Sequence, residues 1–126
     1  MIYLLDTSVL IDVLRPRRRR RELLAAIVQS GYILATSAIN IGELYAGLRA
    51  NEIEPAERFL NELECYPLTA AIARRAGELK RDRAKKGRTL SLPDVIVAAT
   101  AMEYELTLMT DNRKDFPFPE LALFPL

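Results

Sequence analysis

Residues 91–110 read SLPDVIVAATAMEYELTLMT, and this stretch decides the fold. Ser91-Leu92-Pro93-Asp94 has the composition of a helix start. The helix that follows is apolar on nearly every side from Val95 to Ala101, which predicts that it is buried all round. Leu106–Thr110 then predicts a short strand. A buried helix leading into a strand is typical of a parallel sheet covered by helices.

The rest of the chain repeats this alternation of short apolar runs and amphipathic segments. The other predicted strands are Ile2–Leu5, Tyr32–Ala35, Cys65–Leu68 and Leu121–Leu123. The other predicted helices begin near Ser8, near Arg18, after Thr36-Ser37, near Pro55 and at Thr69. Strands that alternate with helices favour the α/β class. We therefore expect one domain over residues 1–126, with a five-stranded parallel sheet flanked by helices.

Composition excludes several kinds of chemistry. The 126 residues contain no histidine and a single cysteine, Cys65. A Ser-His-Asp triad, a His-rich or Cys-rich zinc site and an internal disulfide are therefore ruled out. Catalysis would have to use carboxylates, hydroxyls, Lys, Arg or Tyr, and a hard cation such as Mg²⁺ or Mn²⁺ is the natural helper. The lone cysteine fits a reducing cytoplasm, and no apolar stretch is long enough to span a membrane.

Acidic residues collect where the carboxyl ends of the predicted strands should lie. In an open parallel sheet the functional crevice forms at this edge. Four segments are expected to place acidic or amide side chains at this edge. They contain Asp6 after the first strand, Glu43 on the helix after the second strand, Asp94 at the start of the buried helix, and Asp111, Asn112 and Asp115 after the fourth strand. Each one alone has an ordinary reading as a helix cap, turn or surface residue. Together they predict one acidic cluster.

Such a cluster needs compensation. Two carboxylates about 4 Å apart repel by roughly 4 kcal/mol at an effective dielectric constant of about 20. A divalent ion is the simplest compensation, because it neutralises the carboxylates, lowers the pKa of water and neutralises phosphate charge. The sequence therefore favours hydrolysis of phosphodiesters without histidine.

Four motifs resemble those of PIN-domain proteins, particularly the VapC toxins. They are Leu4–Asp12, Ile41–Gly47, Leu92–Ala101 and Thr110–Phe116, and they occur in the family's order from end to end. The resemblance implies a three-layer sandwich, a ribonuclease that uses Mg²⁺ or Mn²⁺, a homodimer, and inhibition by a VapB-like antitoxin in a prokaryotic cytoplasm.

The resemblance also implies the site residues. Asp6, Glu43 and Asp94 would be the core metal ligands, with Asp115 ranked first as the fourth. Asn112 would bind water or a hydrogen-bond partner, and Asp111 stands where relatives often have a basic residue. Thr7, Ser8 and Thr110 would orient ligands or phosphate. Asp12, farther along the first helix, is read as peripheral.

The leading hypothesis is an endoribonuclease toxin that hydrolyses RNA with a metal-activated water. A phosphatase with an aspartyl-phosphate intermediate is disfavoured, because that chemistry wants a second acid at the position of Ser8. A catalytically inactive RNA- or protein-binding module is the alternative. Two basic runs, Arg17–Arg21 and Lys80–Arg88, are either solvated helix faces or phosphate contacts. The sequence leaves their role and the RNA target open.

Overall fold

The computed structural model describes residues 1–126 and contains one parallel sheet. Its strands are β1 (Ile2–Leu5), β2 (Ile33–Ser37), β3 (Glu64–Tyr66) and β4 (Thr107–Met109), in the order β3-β2-β1-β4. The central strand β1 pairs Leu4 with Ala35 of β2 on one side and with Leu108 of β4 on the other. The predicted α/β class and parallel sheet are confirmed.

The predicted fifth strand, Leu121–Leu123, is wrong. This segment makes a single parallel bridge between Leu108 and Leu123. Two backbone bonds support it: the Leu108 N–H donates to the Ala122 carbonyl, and the Phe124 N–H donates to the Leu108 carbonyl, both at 2.8 Å. The chain turns on both sides of this bridge: the Leu121 N–H donates to the Phe118 carbonyl and the Leu126 N–H to the Phe124 carbonyl, so the ladder does not extend.

Six helices surround the sheet: α1 (Thr7–Leu14), α2 (Arg20–Gln29), α3 (Ala38–Ala46), α4 (Ile53–Leu60), α5 (Ala70–Lys85) and α6 (Leu92–Glu103). Short 3₁₀ helices cover Ala50–Glu52 and Arg113–Asp115. The hydroxyls of Ser37, Thr69 and Ser91 accept backbone N–H bonds at the starts of α3, α5 and α6. Each hydroxyl satisfies a donor that the helix itself leaves unpaired.

The helix predicted from Arg18 begins two residues later. Arg18 and Arg19 both have left-handed backbone conformations, with φ of 53° and 55°. A non-glycine residue rarely adopts this conformation, and two in succession cannot continue a right-handed helix. The loop between α1 and α2 therefore includes part of the basic run Arg17–Arg21.

The sheet is covered on both faces. Leu4 contributes to a core with α5 and α6, whereas Tyr3 and Leu5 contribute to a second core with α1, α2 and α3. This division follows from the two-residue repeat of a strand, which sends neighbouring side chains to opposite faces. Residues 95–101 of α6 are all buried, as predicted. None of the helices combines the length and apolar character that crossing a bilayer requires.

An ion pair fixes the end of α1 to the 3₁₀ helix that precedes α4. Arg15 donates from Nε and Nη2 to the two carboxylate oxygens of Glu52, at 2.8 and 3.0 Å. Glu52 also accepts a bond of 2.8 Å from the Arg49 backbone N–H. The hydrogen bond from Arg15, then that from Arg49, lowers the pKa of Glu52 from 4.5 to about 2.

The ion pair between Arg15 and Glu52 should make the folding stability depend on pH in the acidic range. Because the pKa of Glu52 is lower in the folded protein, its contribution is complete above pH 4.5 and is lost as the pH falls towards 2. We therefore expect Glu52→Gln to lower the melting temperature at pH 7. The deficit relative to wild type should shrink between pH 4.5 and 2, as followed by circular dichroism.

The control is Glu54→Gln, which removes an exposed carboxylate paired with Arg58 at 3.3 Å. Such exposed pairs contribute little, so this variant should track wild type at every pH. A Glu52→Gln deficit that stays constant down to pH 2 would contradict the assignment.

Candidate active site

Asp6 is the most constrained acidic side chain at the carboxyl edge of the sheet. It directly follows β1 and is only 6% exposed. Its Oδ2 accepts a bond of 2.7 Å from the Thr110 hydroxyl, and its Oδ1 accepts one of 3.1 Å from the Asn40 amide. Although Asp6 is the N-cap residue of α1, its side chain makes no capping bond. The carboxylate is therefore held towards the sheet edge rather than used to start the helix.

Thr7 connects this position with α3. Its hydroxyl donates to Glu43 Oε1 at 2.8 Å and accepts from the Asn40 amide at 3.0 Å. The Glu43 side chain is exposed, so only one of its oxygens is engaged within the protein. The structure thus brings Asp6 and Glu43 together through Thr7 and Asn40.

Asp94 and Asp115 complete the acidic edge. Burial raises the pKa of Asp94, and the negative charges of Asp115 and Glu43 raise it further. Burial likewise raises the pKa of Asp6; the Thr110 hydrogen bond opposes the shift, while the charges of Asp94 and Glu43 add to it. The charges of Asp94 and Glu43 thus act on Asp6, and those of Glu43 and Asp115 act on Asp94.

None of these four acids has a cationic partner. The ion pairs of the chain involve other carboxylates throughout. The four carboxylates also do not converge at ligand distance on one point. The site, defined here as Asp6, Glu43, Asp94 and Asp115, therefore carries negative charge that the protein leaves uncompensated.

Asp111, only a few residues away, has the opposite environment. Its carboxylate contacts Arg20 at 2.6 Å and Arg18 at 3.2 Å, and the Arg20 and Asp111 side chains are each 14% exposed. Burial would raise the pKa of Asp111, but the hydrogen bond and charge of Arg20 hold it below its ordinary value. Asp111 thus serves as the counter-ion of the loop between α1 and α2.

Asp12, predicted to be peripheral, belongs to the same buried group. It is 4% exposed and pairs with Arg18 at 3.4 Å. Burial raises its pKa, and the negative charge of Asp111 adds to the shift, while the charge of Arg18 opposes it. Three of the arginines of the basic run Arg17–Arg21 are therefore engaged with acids of their own chain: Arg18 and Arg20 with these buried acids, and Arg19 with the exposed Glu22 at 3.7 Å.

The remaining predicted residues support the loop after β4. The Ser8 hydroxyl accepts from the Asp111 backbone N–H at 3.3 Å, and the Thr110 hydroxyl accepts from the Asn112 backbone N–H at 3.0 Å. The Asn112 side chain itself is exposed. Thr110, which also donates to Asp6, therefore joins this loop to the acidic site.

Much of the second basic run, Lys80–Arg88, also contacts its own chain. Lys80 donates to the Leu90 carbonyl and Arg88 to the Lys114 carbonyl. Arg83 lies over the Phe118 ring, 4.9 Å from its centroid. The Arg88 bond joins the loop after α5 to the 3₁₀ helix that carries Asp115.

Asn40 is the site residue that the motifs did not identify. It is completely buried and contacts both Asp6 and Thr7. The sequence does contain one indication of its role: Asn40 lies three residues before Glu43 on α3, and residues three apart lie on the same face of a helix.

The family profile for the PIN domain matches residues 3–122. This chain belongs to the PIN-domain family. The predicted resemblance is confirmed, and the match covers all four sequence motifs quoted above.

Curated relatives and solved structures extend over nearly the whole PIN domain. Ribonuclease VapC19 of Mycobacterium tuberculosis is 34% identical over 119 residues, or 94% of this chain and 95% of its own length. Ribonuclease VapC10 of the same organism is 36% identical over 93% of this chain and 87% of its own length. The structure of VapBC2 from Rickettsia felis, bound to a DNA fragment from its promoter, superposes with a TM-score of 0.87 at 26% identity and covers 98% of both chains. A toxin–antitoxin complex from Klebsiella pneumoniae gives a TM-score of 0.73 at 30% identity, covering 95% of both chains.

The pair between Arg20 and Asp111 predicts a stability effect. Asp111→Asn keeps the size of the side chain but leaves the largely buried Arg20 guanidinium without a counter-charge. We expect a loss of about 2 kcal/mol in the free energy of unfolding, measured by urea denaturation.

Glu103→Gln is the matched control, because it breaks an exposed pair with Arg75 at 3.4 Å. We expect it to cost less than about 1 kcal/mol. Equal losses in the two variants would argue against a special role for the buried pair.

Proposed function

We propose that this PIN domain is a metal-dependent endoribonuclease of the VapC type, acting as the toxin of a toxin–antitoxin pair. The observation that carries the proposal is the set of four acids at the carboxyl edge of the sheet, none of which has a cationic partner in the protein. Ribonucleases VapC19 and VapC10, which are 34% and 36% identical to this chain, support the reaction class.

The donor set fits Mg²⁺ or Mn²⁺. It consists of carboxylate oxygens alone, the ligands that hard divalent cations prefer. The raised pKa values of Asp6 and Asp94 reflect burial and mutual repulsion, both of which a cation would offset. Asp6, Glu43, Asp94 and Asp115 would hold the ion. When bound, it would lower the pKa of a water molecule and neutralise charge on the RNA phosphate.

The protein side chains have distinct tasks in the proposed hydrolysis. Asp6 is held by Thr110 and Asn40, so its orientation is set before substrate arrives. Glu43 is exposed and is held by Thr7 on one oxygen, which leaves the other free towards solvent. The overall reaction is attack of water on phosphorus with departure of the 3′ oxygen. With no histidine in the chain, the carboxylates of the site would accept the proton of that water.

The proposal includes partners. The similar structures from Rickettsia felis and Klebsiella pneumoniae are toxin–antitoxin complexes, and the former is bound to promoter DNA. We infer that a VapB-like antitoxin inhibits this chain, that the toxin forms a homodimer, and that RNA in the cytoplasm is its substrate. The exposed free Cys65 is compatible with a reducing compartment.

Cleavage of a mixed RNA substrate tests the proposal directly. We expect cleavage with Mg²⁺ or Mn²⁺, none with EDTA, and a loss of at least about 100-fold in Asp6→Asn and Asp94→Asn. Asp82→Asn is the control, because Asp82 lies exposed on α5 and pairs with Lys86 at 3.4 Å. Metal-bound wild type that leaves RNA intact would favour a binding module instead. Cleavage that persists in Asp6→Asn would overturn the site.

The same assay identifies the fourth acid. Asp115→Asn should lose most of its activity, because Asp115 adds negative charge at Asp94 and has no cationic partner. Asp111→Asn should keep most of its activity in the folded fraction, because Arg20 and Arg18 already neutralise Asp111. The reverse order of the two variants would assign the fourth position to Asp111.

Metal binding should be visible without any substrate. Mn²⁺ at 100 times its dissociation constant should stabilise the wild type by about 2.7 kcal/mol, which appears as a rise in melting temperature. Asp6→Asn should reduce this rise strongly, whereas Asp82→Asn should retain it. An equal rise in all three proteins would mean that Mn²⁺ binds elsewhere.

A further inference from the structure

Asn40 is a buried amide whose hydrogen bonds converge on the acidic site. Its relative exposure is 0%. The side-chain nitrogen lies 3.1 Å from Asp6 Oδ1 and 3.0 Å from Thr7 Oγ1, and the side-chain oxygen lies 2.6 Å from Ser37 Oγ. A side chain buried so completely relies on these three partners, because water cannot replace them.

The chemistry of the partners fixes the direction of every bond. An ionised Asp6 carboxylate only accepts, so the amide NH₂ group must face Asp6 and the amide oxygen must face Ser37. Ser37 then donates its proton to Asn40 while its oxygen accepts the Asn40 backbone N–H at 3.3 Å.

The same direction continues to the second acid. Thr7 Oγ1 accepts from the Asn40 amide, so its own proton is available for Glu43 Oε1, 2.8 Å away. The donors therefore run from Ser37 through Asn40 to Asp6, and through Thr7 to Glu43. Both branches therefore end on a carboxylate of the site.

We propose that Asn40 is a positioning residue of this active site, which sets the orientation of Asp6 and the direction of the Thr7 proton towards Glu43. The inference rests on the proposed function, since it concerns the same four acids. Asn40 links two acids that lie on different elements, one after β1 and one on α3. It acts through them and does not touch the reacting atoms.

An amide is the side chain that meets these requirements at this length. It offers two donors for Asp6 and Thr7 and one acceptor for Ser37. An aspartate would repel Asp6 and would accept the Thr7 proton that now goes to Glu43, and a serine would supply one donor in place of two. Groups that orient metal ligands in this way typically change metal affinity or activity by 10–100-fold when they are lost.

The test replaces Asn40 by leucine, which has a similar size and no hydrogen-bonding groups. The full-length variant is compared with wild type for Mn²⁺ affinity by titration calorimetry, and for kcat and KM of RNA cleavage. We expect the Mn²⁺ dissociation constant to rise about tenfold or more, and kcat to fall by about the same factor. KM for RNA should stay within about twofold of wild type, because Asn40 is buried away from the surface that RNA meets.

The matched control is Thr100→Val, which also removes a buried polar group. Thr100 is 1% exposed, and its hydroxyl donates to the Ile96 carbonyl of its own helix at 2.8 Å, so its loss affects no contact with an acid. Both variants should lose thermal stability, but only Asn40→Leu should change Mn²⁺ affinity and kcat. If Asn40→Leu does not fold, Asn40→Ser, which retains one donor, replaces it. We expect this variant to show a smaller rise in the Mn²⁺ dissociation constant and a smaller fall in kcat.

A double-mutant cycle separates positioning from general destabilisation. If Asn40 acts partly through Thr7, Asn40→Leu and Thr7→Val should reduce kcat less in combination than the product of their separate effects. A folded Asn40 variant whose Mn²⁺ affinity and kcat match those of Thr100→Val would overturn the inference and leave the proposed ribonuclease standing. Conversely, if wild-type protein binds Mn²⁺ but cleaves no RNA, the proposed ribonuclease activity is contradicted. In that case a weakened Mn²⁺ affinity in Asn40→Leu would still support the positioning role of Asn40.

Discussion

The structure depends on negative charge that the parallel sheet concentrates at one edge. Because β1 lies between β2 and β4 and all strands run the same way, the residues after β1 and β4 must emerge together. Asp6 emerges almost fully buried, and an ionised carboxylate in that position requires donors. Thr110 and Asn40 provide them from two other segments of the chain. Local contacts around the edge are therefore organised by the need to stabilise Asp6.

The protein treats its neighbouring acids in two different ways. Asp12, Asp111 and Glu52 are paired with arginines, whereas the four acids of the site are left without cations. The pairing of Asp12 and Asp111 involves a strained loop, since Arg18 and Arg19 have positive φ and each such residue costs about 1–2 kcal/mol. That cost is offset by bringing the Arg18 and Arg20 guanidinium groups onto two acids that would otherwise enlarge the negative charge of the site. The loop thus keeps Asp12 and Asp111 from adding to the negative charge of the site.

The sequence predicts those features that follow from local patterns. The buried helix α6, the hydroxyl caps at Ser37, Thr69 and Ser91 and the edge at which the acids meet all follow from periodicity and from the position of acids after strands. Features that depend on side-chain direction were missed. Asn40 is distinguished from other helix residues only by its hydrogen-bond partners, which the sequence does not reveal. Arg20 likewise contacts Asp111, a residue 91 positions away in the sequence. The prediction of a fifth strand failed because the chain turns on both sides of Leu121–Leu123, and three apolar residues do not reveal those turns.

The site is rigid on one side and open on the other, and this asymmetry bears on how the proposed enzyme would work. Asp6 is fixed by two bonds, while Glu43 is exposed and held at a single oxygen. Four carboxylates without a cation have no reason to approach one another, since each pair about 4 Å apart would cost roughly 4 kcal/mol at an effective dielectric constant of about 20. An RNA phosphate would meet the same repulsion. In the proposed ribonuclease, a divalent cation and the phosphate should therefore favour each other's binding, with Asp6 held in a fixed orientation and the exposed Glu43 less constrained.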